Sequence, residues 1–593
     1  MSPAKREVLH AGKGKPSGLK RFLFELRKKR IIEILAGFVG GGWLVYEIVH
    51  WILVVHYHLP EKLLDITLTT LIGALLCTLT WRWFAGREKQ RKFKLELILI
   101  PLVFLFTILL DMNFLLHLKG PESETFPASQ WKNSIAVLPF VDMSPQKDQE
   151  YFCDGMTEEL INRLSNIREL KVPARTSAFA FKGKAEDIRE IGRKLGVQKA
   201  LEGSVRKENN QLRVTVQLVN VSDSFHLWSE TFDKELTKVF AIQDEIALTI
   251  ADKLKFTLLS DEKSKLIRHP TENLDAYDLY LLGRFFYYKS AEEDLKKAIR
   301  YLDQAIAKDP NYALAYADQA TCYTVLCGIG YLAPKESYPK AKEAVIKALK
   351  LDEELGEAHA SLGFLKFVFD WDLAGAEREF KRAFELSPGN VDVNILYSIY
   401  LSFTERFDEA IAGFKRAVEL DPASPVPYTY LGGFGYQIAG RFDEAVDQIK
   451  KGMDMDPNNF LGQLFLPSVY ALKGMYGEAI AQADKMMSLW PTLEDVQVLS
   501  CLVWVYAVSG RQEKARNLLN RMLDLRARRY VDAYLIGAAY AGLGEKEKAF
   551  EWLTKAYEEH AGQMICIKVD PWIKNLRSDP RYKELLKKMG FEK

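Results

Sequence analysis

"FDEAIAGFKRAVELDP" occupies Phe407–Pro422, and "FDEAVDQIKKGMDMDP" occupies Phe442–Pro457. An active site is written once, whereas a phrase repeated at fixed spacing marks a building unit. Ala410 and Ala417 are small where helices approach closely, Phe414 fills the gap between them, and Pro422 stops the helix because it cannot continue the hydrogen-bond ladder. The same alanine returns at Ala298, Ala341, Ala376, Ala410, Ala445, Ala479, Ala515 and Ala549, in steps of 43, 35, 34, 35, 34, 36 and 34 residues. Twelve residues after it stands proline at Pro310, Pro388, Pro422, Pro457 and Pro491, and nine before it stands tyrosine at Tyr436, Tyr470, Tyr506 and Tyr540.

A helix–turn–helix with this alanine, tyrosine and proline grammar resembles the tetratricopeptide repeat (TPR), and eight units fit residues 270–568. One unit cannot bury its own apolar face, but stacked neighbours can, so the resemblance implies an all-α superhelix with a concave inner surface. The first helix of each unit lines that surface. Its positions include Tyr430, Phe434, Gln437, Leu464, Trp504 and Tyr534, a candidate peptide groove with aromatic anchors; ordinary packing between helices accounts for the same residues. Arg526, Arg528 and Arg529 read as a solvated turn or a carboxylate clamp. The longest step leaves room for an extended turn around "GIGYLAPKESYP", and residues 569–593 read as a capping helix.

The chain has 593 residues and a net charge of +2. Residues 1–30 form a basic tail with ten Lys/Arg against Glu7 and Glu25. Between 31 and 117 lie three apolar stretches, Ile34–Val55, Leu63–Trp83 and Leu97–Leu116, each near the ~20 residues of a membrane-crossing helix. The basic tail and the six Lys/Arg of Arg82–Lys94 predict a cytoplasmic N-terminus. Three crossings would put the rest in the bacterial periplasm; two would leave it cytoplasmic. His50, His56, His58 and His117 near the outer boundary suggest either interfacial anchoring or a metal site. Six cysteines fit no zinc spacing and read as packing thiols.

After a linker at 118–133, residues 134–260 change texture. "SIAVLPF" reads as a buried strand, "YFCDGMTEELINRLSNI" as a helix, "LKVPARTS" as a short strand and turn, and "AEDIREIGRKLGV" as a helix closed by Gly196. Two alternating runs flank Asn209-Asn210, a hairpin signal, and "FHLWSETFD" extends the sheet. "VFAIQDEIALTIADKLKFTL" closes the unit, a small α/β sandwich. Asp154, Glu158 and Glu159 read as a solvated helix start. "YFCDGMTEEL", "ARTSAFAFKG", "LEGSVRK" and "LWSETFD" resemble the bacterial domain called TolB amino-terminal-like or FlgO-like, which implies a domain often found in the periplasm with no established catalytic role.

The fold class expected is therefore multi-domain: a three-helix transmembrane anchor, a small α/β sandwich and an all-α TPR superhelix. The layout resembles bacterial membrane-anchored repeat proteins, some of which carry a nucleotide cyclase or a DNA-binding domain before the membrane; about thirty residues are too few for either. "AGKGKPSG" lacks the strand a phosphate-binding loop needs. No catalytic, cofactor or metal residue is assigned, and neither enzyme activity nor a nucleic-acid partner is expected. The expectation is an inner-membrane scaffold whose repeats grip protein segments, in envelope assembly or signalling; the alternative is a transmembrane sensor relaying a signal to a cytoplasmic partner.

Overall fold

The computed structural model describes residues 133–592 except 257, 290, 491 and 493, together with 68, 71–72 and 74–79. The chain divides into two compact units, Met1–Thr125 and Phe126–Lys593. The basic tail, the four histidines and nearly all of the three apolar stretches and the linker lie outside the described residues. A crossing needs ~20 apolar residues in one helix, and among the described residues no helix is long and apolar enough to cross a membrane. The multi-pass inner-membrane location is corrected on that finding, and the periplasmic placement that depended on three crossings goes with it.

The second unit begins with a small α/β domain. Its elements are β1 (Ile135–Val137), β2 (Val141–Asp142), α1 (Glu150–Ser165), α2 (Arg175–Phe179), α3 (Ile188–Leu195), β3 (Lys199–Glu208), β4 (Gln211–Asn220), β5 (His226–Glu235) and α4 (Val239–Lys253). The strands form one mixed sheet in the order β1-β3-β4-β5, with β2 also running parallel to β3. Asn209, at φ 55°, supplies the left-handed backbone of the tight turn that pairs Glu208 with Gln211. Leu212, Val214, Val216 and Leu218 alternate into the core and are fully buried, in one cluster with residues of α1 and α4. The strand expected at "LKVPARTS" is a single bridge, Ser134 to Lys171. Pro173 cannot donate to a ladder, and the chain turns into α2 instead.

Eight helical hairpins follow, from Leu274–Tyr287 with Glu292–Lys308 to Ala533–Gly542 with Lys546–Glu559. The TPR-like superhelix and the small sheet domain are both present. All eight repeated alanines, Ala298 to Ala549, are fully buried. Glycine faces several of them across the hairpin. A Cβ on Gly283, Gly363, Gly432 or Gly537 would lie 3.4, 3.3, 2.9 or 3.2 Å from the carbonyl oxygen of Ala298, Ala376, Ala445 or Ala549. These four hairpins are thus drawn together on a seam with little room for a side chain.

The turns reuse one geometry. Gly440, Gly474, Gly510 and Gly544 have φ of 76, 78, 81 and 78°. The next amide donates back to the carbonyl of Tyr436, Tyr470, Tyr506 or Tyr540 at 2.8, 2.9, 2.8 or 3.0 Å, a left-handed helix stop. The long step has no extended turn. Its extra residues lengthen the two helices, Ala313–Gly328 and Pro334–Leu351, about a short link at 329–333.

The seam makes a paired prediction. Gly432→Ala forces its new methyl against the Ala445 carbonyl at 2.9 Å and Ile449 at 2.6 Å, and calorimetry should show a loss of about 1–3 kcal/mol. Gly477→Ala, with nothing within 4 Å, should be neutral or stabilise by up to about 1 kcal/mol.

Candidate functional site

The α/β domain docks on the repeat array through α2. Beyond Pro173, Ala174 N donates to Leu420 O at 3.1 Å. Thr176 Oγ1 and Ser177 Oγ each donate to a different oxygen of Asp421 at 2.5 Å, and Ala423 N donates to Ser177 Oγ at 2.9 Å. Asp421 is 2% exposed. Burial pushes its carboxyl up, against the lowering effect of the two hydroxyls. Asp421 belongs to the "LDP" phrase that ends a repeat, so its sequence signal was structural and its docking role went unread.

A second patch joins the same domains. Glu158 pairs with Arg284, and Tyr288 Oη donates to Glu158 Oε1 at 2.8 Å. Arg284 also donates to Asp318 at 2.8 Å. The Arg175 guanidinium lies between rings, 3.8 Å from the Phe179 centroid and 3.5 Å from that of Tyr288. Lys182 Nζ holds both oxygens of Asp154, at 2.6 and 2.7 Å, while burial raises that carboxyl. Asp154 and Glu158 are 7% and 8% exposed, which corrects their reading as a solvated helix start. Glu158 lies where α1 packs on the first repeat helix, while Asp154 is paired within the α/β domain.

The six candidate groove residues separate into two groups. Tyr430 and Phe434 are half-buried with ring centroids 5.4 Å apart, and Phe434 meets Phe403 and Phe465 edge-on at 5.6 and 5.1 Å. Gln437 is buried and its Oε1 accepts from Ser468 Oγ at 3.5 Å. Leu464 is half-buried, its carbonyl accepting from Cys501 Sγ at 3.2 Å. Trp504 and Tyr534 are covered by the chain itself. Trp504 stacks on Trp572 with centroids 5.1 Å apart and planes at 10°, and its Nε1 donates to Trp572 O at 3.1 Å. Tyr534 Oη donates to Asp570 Oδ2 at 2.7 Å. The covering segment is two 3-10 turns, Gly562–Cys566 and Pro571–Leu576, ahead of the helix Pro580–Lys588. A hollow of about 500 Å³ lies beside it, walled by Trp504, Val508, Ala541, Pro571 and Trp572 with Lys574 and Asn575 at its edge.

The second, third and fourth units also meet the seventh unit and the region after the eighth. Trp371, after the third unit's first helix, stacks on His560 at 4.6 Å and 7°, and His560 Nδ1 lies 3.1 Å from Phe369 O. Gln497 Nε2 donates to Gly328 O at 3.0 Å, and Lys568 pairs with Glu405. Asp532 caps the last first-helix through Tyr534 N at 2.8 Å and accepts from Gln563 N at 3.2 Å. Burial pushes its carboxyl up to about 6. Of the basic run, Arg526 pairs with Glu559 and Arg529 donates to Glu494 O. Among the described residues no group of three or more His, Cys, Asp or Glu is placed to hold a metal.

Comparison with known proteins bears first on the α/β domain. Residues 131–249 match the family model described as HilA/YgeH-like transcriptional regulator, second domain; the TolB-like or FlgO-like resemblance has no support from this comparison. A Rhizobium meliloti (strain 1021) protein named "Putative adenylate cyclase 3" is 40% identical over 195 residues, 33% of this chain and 33% of that protein. Transcriptional regulator HilA of Salmonella typhimurium is 26% identical over 297 residues, 49% of this chain and 51% of that protein. The chain thus spans a third to a half of these relatives. Among solved structures, a tetratricopeptide repeat protein from Parabacteroides merdae covers 42% of this chain and is itself covered over 93%, at 14% identity and a TM-score of 0.31. The expectation that the chain is not an enzyme is corrected by the relative named as a cyclase.

Two predictions follow from the buried carboxylates. Asp532 has its carboxyl held at about 6, above the ordinary 3.8, so burial favours the protonated form. Its contribution to stability is full below the unfolded value and is lost as pH rises through about 6. Asp532→Asn keeps a capping oxygen, so it should raise stability at pH 7 by on the order of 2 kcal/mol and flatten the fall between pH 4 and 7. Asp421→Ala and Ser177→Ala should each destabilise by about 1–3 kcal/mol. Their double mutant should lose less than the sum, as denaturation midpoints would report.

Proposed function

We propose that this chain is a protein-interaction scaffold in which an α/β domain (134–260), eight repeat units (270–568) and a capping region (569–593) work as one body. The half-open stripe of Tyr430, Phe434 and Leu464 on the inner face takes a segment of a partner protein. What carries this reading is the domain junction at Asp421: hydroxyls of α2 bonded to a buried repeat carboxylate fix the α/β domain beside the inner face. A partner lying along the array would meet both surfaces at once. Aromatic anchors with few rotatable bonds suit such a face.

The relatives support a module reading. One carries the name of an adenylate cyclase and the other that of a transcriptional regulator, and this chain matches 33% and 51% of them. Similarity to parts of proteins of such different names suits a chain that recognises partners, whatever the rest of each protein does.

Site-specific photo-crosslinking in cells producing the full chain tests the proposal. A benzophenone residue replacing Tyr430 should give discrete adducts that map to one segment of a partner protein. The same residue replacing Lys415, which is exposed on the second helix of its hairpin, should not. The same adducts from both positions, or none from either, would contradict the reading.

A further inference from the structure

We infer that the stripe at Tyr430 and Phe434 selects a partner segment carrying a lysine or arginine next to a large apolar side chain, and that Asp392 receives the cation. The inference deepens the scaffold reading and rests on it.

Asp392 stands at the open end of a helix face. On the first helix of the fourth unit, Val391–Phe403, positions 392, 395, 399 and 402 share one side. Ile395, Ile399 and Ser402 are buried, whereas Asp392 is exposed. The first helix of the fifth unit starts at Pro425 and carries Tyr430 and Phe434. The two helices touch where Phe403 meets Phe434 edge-on at 5.6 Å. The carboxylate and the aromatic stripe thus belong to adjacent helices. Two rings also feel the Asp392 charge. Burial, and after it that charge, raises the Tyr430 hydroxyl to about 12 and takes the Tyr287 hydroxyl well above its ordinary value.

The Asp392 charge has no match within the chain. Among the described residues its carboxylate accepts no hydrogen bond and makes no ion pair. The charged groups that act on it most are engaged elsewhere. Asp421 takes the Thr176 and Ser177 hydroxyls. Glu357 accepts from Asn390 Nδ2 at 2.8 Å. Arg284 is shared between Glu158 and Asp318. Burial, then the Asp421 charge, pushes the Asp392 carboxyl up to about 6; Arg284 opposes this, while Glu357 and Glu158 add to it.

A carboxylate open to solvent yet crowded by like charge gains more from an incoming cation than a freely hydrated one does. Lysine or arginine supplies that cation, and tyrosine faces nearby add to its attraction. The apolar neighbour in the same segment fills the half-open stripe of Tyr430 and Phe434. An acidic segment would meet like charge, and a wholly apolar one would cover Asp392 without a partner.

The test uses the full chain and, as probe, a fluorescein-labelled peptide of sequence glycine-leucine-lysine-phenylalanine-glycine. Its controls carry methionine or glutamate in place of lysine. Anisotropy near pH 7 should show the lysine peptide binding about tenfold more tightly than the methionine peptide. Asp392→Asn should abolish that preference, and Asp392→Lys should turn it toward the glutamate peptide. Asp392 gains its charge as pH rises through about 6, so affinity for the lysine peptide should fall about tenfold from pH 7 to 5 in the wild type and stay flat in Asp392→Asn. Asp392 is exposed, so both variants should keep the fold, as circular dichroism would report. Equal binding of lysine and methionine peptides, binding of neither, or a lysine preference that survives in Asp392→Asn overturns the inference. Any of these together with discrete adducts at Tyr430 sinks this inference and leaves the scaffold reading standing; a lack of adducts sinks both.

Discussion

Close approach of the two helices in each hairpin is the constraint on which the rest depends. Every repeated alanine from Ala298 to Ala549 is fully buried, and at four hairpins glycine faces its carbonyl so closely that a methyl would be tight, and at Gly432 would collide. Backbones that close leave a thin hairpin with an apolar stripe on both sides. No such hairpin buries that surface alone, so its stability comes from neighbours. The left-handed glycine turns set the angle at which the chain re-enters, and repetition of one angle makes a coil.

That coil brings its own surfaces together. The third unit reaches the eighth through the Trp371–His560 stack, and the second reaches the seventh through Gln497 and the Gly328 carbonyl. The array also carries α2 of the α/β domain, seated on Asp421, and the segment around Trp572, seated on Trp504 and Tyr534.

Much of the fold is legible in the residues because it is local. Helix spacing, the alanine, tyrosine and proline grammar and the Asn209 turn each act within a few dozen residues. Gly196 ends α3 in the left-handed conformation its position suggests. What was not legible is long-range pairing. Asp421 looks like any helix end until Thr176 and Ser177 arrive from about 245 positions away. Glu158 looks solvated until Arg284 and Tyr288 of the first repeat helix arrive, and Asp154 until Lys182 folds back onto it. Trp504 belongs to the stripe expected to line a trough, and nothing in its neighbourhood announces that Trp572 lies over it. Pro173 is the instructive intermediate: it forbids a strand at "LKVPARTS", a local fact, and thereby frees α2 to dock, a distant one.

Closure of the array is the central claim, and a distance measurement across the closing ends tests it most directly. Spin labels at positions 374 and 558 of the full chain, both exposed and flanking the Trp371–His560 stack, should give one short, narrow distribution by electron double resonance. A broad distribution centred at long distance would show an open, flexing coil and contradict the account.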